Sequence, residues 1–121
     1  MTPYPISPRV FVVHNDGRFD LTDAVRYGVL VNVYRRDFYP DETDERVPSV
    51  IRMAYDVLRH FDAGKDFLCL VGSPIYTAVC MYVLGSMGKS PVHVLRYDRI
   101  AQAYYPIPIN NLRPRVEEPA K

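Results

Sequence analysis

Residues 67–74 read Phe67-Leu68-Cys69-Leu70-Val71-Gly72-Ser73-Pro74, and this stretch decides the fold. Its first five residues are all apolar, which is typical of a strand buried on both faces of a sheet. The serine is placed to cap a following helix, and proline suits the first helical position because that position has no amide partner to lose. We therefore predict a strand that ends near residue 71, a tight turn, and a helix over residues 74–87.

The same region has no charged residue from Phe67 to Gly88, a run long enough on paper to cross a membrane. The Gly-Ser-Pro turn divides it into a strand and a helix, and neither half spans a bilayer alone. A buried strand and helix of a soluble α/β core have the same hydropathy, so we expect no membrane partner. The helix is apolar on nearly all sides, which leaves two alternatives: a central helix of the monomer, or the contact face of a homodimer.

Outward from this unit, the pattern alternates between strands and helices. Apolar runs at residues 10–13 and 92–95 and at Val29–Tyr34 predict three more strands. A short helix is expected over residues 20–27, and a longer one over residues 47–61, where the apolar positions follow a 3.6-residue period. The segment Ala103–Ile109 follows a short link and contains two prolines, so we predict an antiparallel strand at the sheet edge.

These elements predict a single α/β domain with a three-layer, Rossmann-like or flavodoxin-like fold. The sheet is expected to be mostly parallel, in the order 2-1-3-4, with the antiparallel strand at the edge beside strand 4. We expect an extended N-terminal arm over residues 1–8, the α/β domain over residues 9–109, and a flexible tail over residues 110–121.

Composition narrows the possible partners. The 121 residues suit one core, and 15 basic against 14 acidic residues give a net charge of +1, which argues against binding to long nucleic acid. Cys69 and Cys80 both lie in apolar runs, which indicates buried free thiols in a reducing cytosol. The N-terminus lacks the layout of a signal peptide, so we expect a cytoplasmic protein.

No motif identifies a reaction. Residues 85–90 resemble a phosphate-binding loop, but Val83 occupies the position of its first glycine and the segment leads from a helix into a strand. Ser73 lacks the pattern of a nucleophile elbow and has no well-placed histidine base. The acidic run at residues 41–45 is interpreted as a solvated loop. We nominate no catalytic residue, no metal ligand and no cofactor; enzyme activity stays undecided, with its absence favoured.

A ligand, if the protein binds one, should lie at the carboxyl edge of the parallel sheet, where the strand order reverses. The loops after strands 1 and 3 flank that point, and arginines after strands 2 and 4 bring positive charge for an anionic ligand. The candidate ligand-binding residues are therefore Asn15, Asp16, Gly72, Ser73, Arg35 and Arg96.

Four segments together resemble small uncharacterised Rossmann-like proteins encoded in tailed-phage genomes: His14-Asn15, Tyr27-Gly28, residues 66–74 and residues 94–98. The resemblance covers about residues 10–109 and implies a viral protein inside the host cell or in the virion; it supplies no catalytic signature. A second similarity is to nucleotide-sensing Rossmann-like domains of phage-defence systems, whose fuller glycine-rich turn this chain lacks.

Two functions follow as expectations, and a small hydrolase or transferase ranks third. The first is a non-enzymatic assembly or interaction protein, phage-encoded, that contacts copies of itself or other viral or host proteins. The alternative is a binder of a nucleotide-like or phosphorylated small ligand at the carboxyl edge of the sheet.

Overall fold

The computed structural model describes residues 6–34 and 47–110. In chain order its elements are β1 (Arg9–His14), a 3-10 helix (Asp23–Tyr27), β2 (Val29–Tyr34), α1 (Val47–Leu58), β3 (Phe67–Cys69), α2 (Pro74–Ser86), β4 (Val92–Asp98) and β5 (Ala103–Ile109). The predicted unit around residues 67–74 is present, with Ser73 as the N-cap of α2 and Pro74 as its first residue.

The five strands form one sheet in the order β2-β1-β3-β4-β5. β1 pairs in parallel with both β2 and β3, β3 pairs in parallel with β4, and β5 is antiparallel to β4. The predicted fold class, the strand order and the antiparallel edge strand are therefore confirmed.

The layers follow from the reversal of strand order. The connection from β1 to β2 runs in one direction across the sheet, and the connections from β2 to β3 and from β3 to β4 run in the other. Because each connection is right-handed, the first lies on one face of the sheet and the other two lie on the opposite face. Both α-helices accordingly pack on one face, and the 3-10 helix packs on the other. The α-helical face buries Phe11, Val13, Leu68 and Val94 among others; the opposite face buries Val10, Val12, Cys69, Leu95 and Tyr104.

Several elements differ in extent from the prediction, and α1 ends at Leu58 instead of residue 61. The short helix begins only at Asp23 and is 3-10, because the Asp20 carboxylate accepts the backbone N–H of Thr22 at 2.9 Å and holds a turn before it. β3 ends at Cys69 instead of residue 71. β4 continues to Asp98, where a loop was expected, because the hairpin with β5 extends its ladder to the pair Asp98 and Ala103.

A buried ion pair holds the amino edge of the sheet. Arg9 donates through Nη2 to Asp66 Oδ2 at 2.7 Å, and its backbone N–H donates to Asp66 Oδ1 at 2.9 Å. Asp66 also accepts the backbone N–H of Asp62 at 2.7 Å, and Arg9 donates to the carbonyl of His60. The pair therefore joins the start of β1 to the turn after α1 and to the residue before β3.

The outer edge of β5 is capped. The backbone N–H of Tyr104 donates to Asp23 at 2.6 Å, and its carbonyl accepts from Arg26 and Tyr27 at 2.8 and 2.9 Å. The backbone N–H and carbonyl of Tyr104 therefore point away from β4. Every second residue of β5 has the same orientation, so the outward N–H positions at 106 and 108 belong to prolines, which have no N–H. The 3-10 helix and the two prolines together leave this edge a poor template for another strand.

Some predictions fall on other parts of the chain. Most of the predicted arm and tail and the loop over residues 35–46, including Arg35 and the acidic run, lie outside the described residues, so the domain boundaries stay predictions. Within the described ranges, no helix has both the length and the hydropathy that a membrane crossing requires.

Candidate functional site

The point where the strand order reverses is closely packed. The backbone N–H of His14, at the end of β1, donates to the carbonyl of Val71 at 3.2 Å. Gly72 follows with a φ of 103°, and a Cβ at that position would lie 2.8 Å from the Cβ of His14. The carboxyl ends of β1 and β3 therefore meet in direct contact, and glycine is required at 72 both for its backbone conformation and for this close approach.

A buried aromatic cluster fills the space beneath the start of α2. The rings of His14 and Tyr76 meet edge to face with centroids 4.9 Å apart, and Tyr34 stacks on Tyr76 at 4.5 Å. The Tyr34 hydroxyl donates to the carbonyl of Val50 at 2.9 Å, and burial raises the pKa of this hydroxyl well above its usual range. The cluster joins β1, β2, α1 and α2, which indicates a packing role for His14.

An open cleft of about 830 Å³ lies farther along the same edge. Its volume falls within the range of small-molecule sites, which is about 300–1,000 Å³. Three segments form it: the loop after β1, the end of β3, and the β4–β5 hairpin. Its lining residues are Arg18, Phe19, Asp20, Leu70, Val71, Arg96, Tyr97, Asp98, Arg99, Ile100, Tyr104 and Tyr105.

The two acidic residues of the cleft are held by the backbone. Asp98 Oδ1 accepts the N–H groups of Ile100 and Ala101 at 2.9 and 3.3 Å, and Asp20 is used in the turn before the 3-10 helix. Arg96 and Arg99, by contrast, form no ion pair with any residue in the described ranges. The cleft thus offers two guanidinium groups to solvent.

Aromatic and aliphatic side chains complete the lining. Tyr97 and Tyr104 meet edge to face at 5.0 Å, and Tyr97, Tyr105 and Phe19 are each partly exposed. Ile100, at the tip of the hairpin, is 96% exposed. The tyrosines did not stand out in the sequence because all ten are spread along the chain; a polar and aromatic segment at a hairpin tip was the available signal.

The predicted ligand-binding residues are only partly brought together. Arg96 lines the cleft. Asn15 and Asp16 lie in turns, where their side chains accept the N–H groups two residues on at 3.1 Å, and Asp16 pairs with Arg18 at 2.6 Å. The Ser73 hydroxyl accepts the N–H of Ile75 at 3.2 Å as a helix cap.

The cysteines match the interpretation of buried free thiols. Burial raises the pKa of both Cys69 and Cys80 to about 12, so each thiol stays protonated at neutral pH. No group of three potential metal ligands occurs among the residues that the structure describes.

Comparison with known proteins gives one relationship. Searches of curated proteins and of solved structures find no match. A family model described as Phage Pam3 gp32-like protein matches residues 8–111, which is most of the chain and includes the whole sheet. The predicted resemblance to small phage-encoded proteins is thereby confirmed, and the chain belongs to the Phage Pam3 gp32-like protein family.

Proposed function

We propose that this phage-family protein is a non-enzymatic interaction protein that acts through protein–protein contacts, first of all with a second copy of itself. The observation that carries the proposal is the outer side of α2. Ile75 and Tyr82 are 66% and 65% exposed there, and the exposed Ala78 lies between them.

The neighbouring helix shows what a solvated side looks like in the same domain. α1 packs on the same face of the sheet; its exposed positions include Arg52 and Asp56, and the exposed Arg59 directly follows it. α2 has no charged residue anywhere along its 13 residues. Since large exposed apolar side chains cluster at interaction surfaces in soluble domains, the contrast favours a covered role for α2.

The shape of this surface suits a second copy. Ile75, Ala78, Tyr82 and Gly85 recur at helical spacing, so two large residues alternate with two small ones along one side. A hollow of about 240 Å³ lies beside Gly85, between the end of α2 and the end of β5. A two-fold contact between α2 helices would let the small residues approach closely while Tyr82 of each copy enters the other's hollow.

Two further observations favour a non-enzymatic protein that associates through its helix. The Ser73 hydroxyl serves as a helix cap, and both thiols are buried with raised pKa values, so these nucleophile types are committed to structure. The cap on the edge of β5 disfavours association by strand addition there. We expect the protein to act in the host cytoplasm or on the virion, without binding long nucleic acid or membrane.

The test is the oligomeric state of the protein and of two charge variants. Light scattering coupled to size exclusion should give a dimer mass for the wild type and a monomer mass for Tyr82→Lys. Asp56→Lys, which places the same charge on the exposed side of α1, is the matched control and should remain dimeric. A monomeric wild type at high concentration, or a dimer that survives Tyr82→Lys, would overturn the proposal.

A further inference from the structure

We infer that the cleft at the β4–β5 hairpin binds a nucleotide-like ligand, with its phosphate on Arg96 and Arg99 and its planar base against the partly exposed Tyr105. This inference is separate from the proposed contact through α2, because the cleft and the outer side of α2 share no residue.

The phosphate part of the inference rests on charge. Arg18, the third arginine of the lining, is paired with Asp16 outside the cleft, and the carboxylates of Asp20 and Asp98 are already engaged by backbone N–H groups. Arg96 and Arg99 have no such ion-pair partner in residues 6–34 and 47–110. Two guanidinium groups three residues apart at a strand end offer the planar, bidentate donors that phosphate oxygens accept.

The base part rests on Tyr105. Arg96 lies directly opposite Tyr105 in the antiparallel ladder, so these two side chains leave the sheet on the same face, whereas Tyr97 and Tyr104 lie opposite each other on the other face. Tyr105 is 37% exposed. A partly exposed ring beside positive charge is suited to stack on the flat face of a base.

The experiment is a binding measurement on the full chain with defined probes. Adenosine and uridine monophosphates at millimolar concentration should raise the melting temperature, and inorganic phosphate or adenosine alone should raise it less. Arg96→Gln should weaken binding of the monophosphates about tenfold or more, measured as Kd by calorimetry. Arg52→Gln, on the exposed side of α1, is the matched control and should bind like the wild type.

Tyr105→Leu tests the aromatic part, because it keeps an apolar side chain opposite Arg96 and removes the ring face. It should reduce the preference for the monophosphate over inorganic phosphate. The absence of a shift with any monophosphate overturns the inference, as does binding that Arg96→Gln leaves unchanged. Equal binding of phosphate and monophosphate overturns the nucleotide assignment, and so does binding of an acidic peptide but no nucleotide. Tyr82→Lys should bind the monophosphates like the wild type. A failure of the nucleotide inference is therefore distinguishable from a failure of the proposed α2 contact.

Discussion

Replacing Asp66 by asparagine removes the negative charge of the buried pair at the amino edge of the sheet. The Asp66 side chain is fully buried and that of Arg9 is 10% exposed, so water replaces little of the lost interaction. Asparagine keeps the size of the side chain and one oxygen acceptor. The substitution therefore removes the counter-charge of the buried Arg9 guanidinium and also replaces one acceptor oxygen by an NH2 group that faces an N–H donor.

Breaking a buried ion pair from one side costs about 3–5 kcal/mol, and the remaining oxygen acceptor places this variant near 3 kcal/mol. A domain of this size is stable by about 5–15 kcal/mol, so the loss is a substantial part of the total. At roughly 3–5 °C per kcal/mol, Asp66→Asn should lower the Tm by about 10–15 °C.

The assay is thermal and urea unfolding followed by circular dichroism, with Asp62→Asn as the control. Asp62 lies four residues earlier, is half exposed, and pairs with Lys65 only at 3.8 Å, so its charge should contribute about 0–1 kcal/mol. A fall in Tm for Asp66→Asn no larger than that for Asp62→Asn would refute the reasoning.

The same carboxylate predicts a pH dependence. Burial alone would raise the pKa of Asp66, but the hydrogen bonds from Arg9, the Asp62 backbone and Ser7 outweigh it, and the pKa is lowered. A lowered pKa in the folded state means that the stabilisation is present above the unfolded pKa of about 3.9 and is lost as the pH falls through the folded value. The difference in unfolding free energy between wild type and Asp66→Asn should therefore stay constant from about pH 7 to 5 and shrink below about pH 4.

Other variants give sharp contrasts. Gly72→Ala should destabilise the protein by about 2 kcal/mol or more, because the residue has a positive φ and the added Cβ would clash with His14. Gly85→Ala has open space at its Cβ and should stabilise α2 by up to about 1 kcal/mol. Urea unfolding of both variants measures the two changes in unfolding free energy. Cys69 and Cys80, whose pKa values are about 12, should react with a thiol reagent at pH 8 only at the rate of unfolding, and fast labelling of the native protein would contradict their burial. Asp23→Ala leaves an N–H of β5 without its carboxylate and should cost about 1–3 kcal/mol with a rise in aggregation seen by light scattering; unchanged stability and solubility would argue against the edge cap.

Much of the fold could be predicted because its signals are local. The apolar run before Gly72, the cap at Ser73 and the prolines of β5 each act on neighbouring residues, and together they imply the strand order. The Arg9–Asp66 pair could not be predicted, since it joins residues 57 positions apart and depends on how the sheet closes. The contacts of Asp23, Arg26 and Tyr27 with Tyr104 could not be predicted for the same reason.

The candidate site was predicted only in outline. The carboxyl edge and Arg96 follow from the rule for parallel sheets, whereas Phe19 lines the same cleft only because the loop after β1 comes close to the hairpin. The close contact at Gly72 moves the available space away from the reversal point. That displacement depends on the packing of His14, which no sequence pattern reports.

The capped edge of β5 bears on how large an assembly of this chain can grow. Strand addition is an open-ended mode of growth, since each added sheet presents a new edge to the next molecule. With that route blocked at β5, the two-fold contact that we propose through α2 would use the same surface on both copies and would be complete after two. The 3-10 helix that holds the edge would then act as a stop on polymerisation, and would favour a particle of fixed size over a fibre.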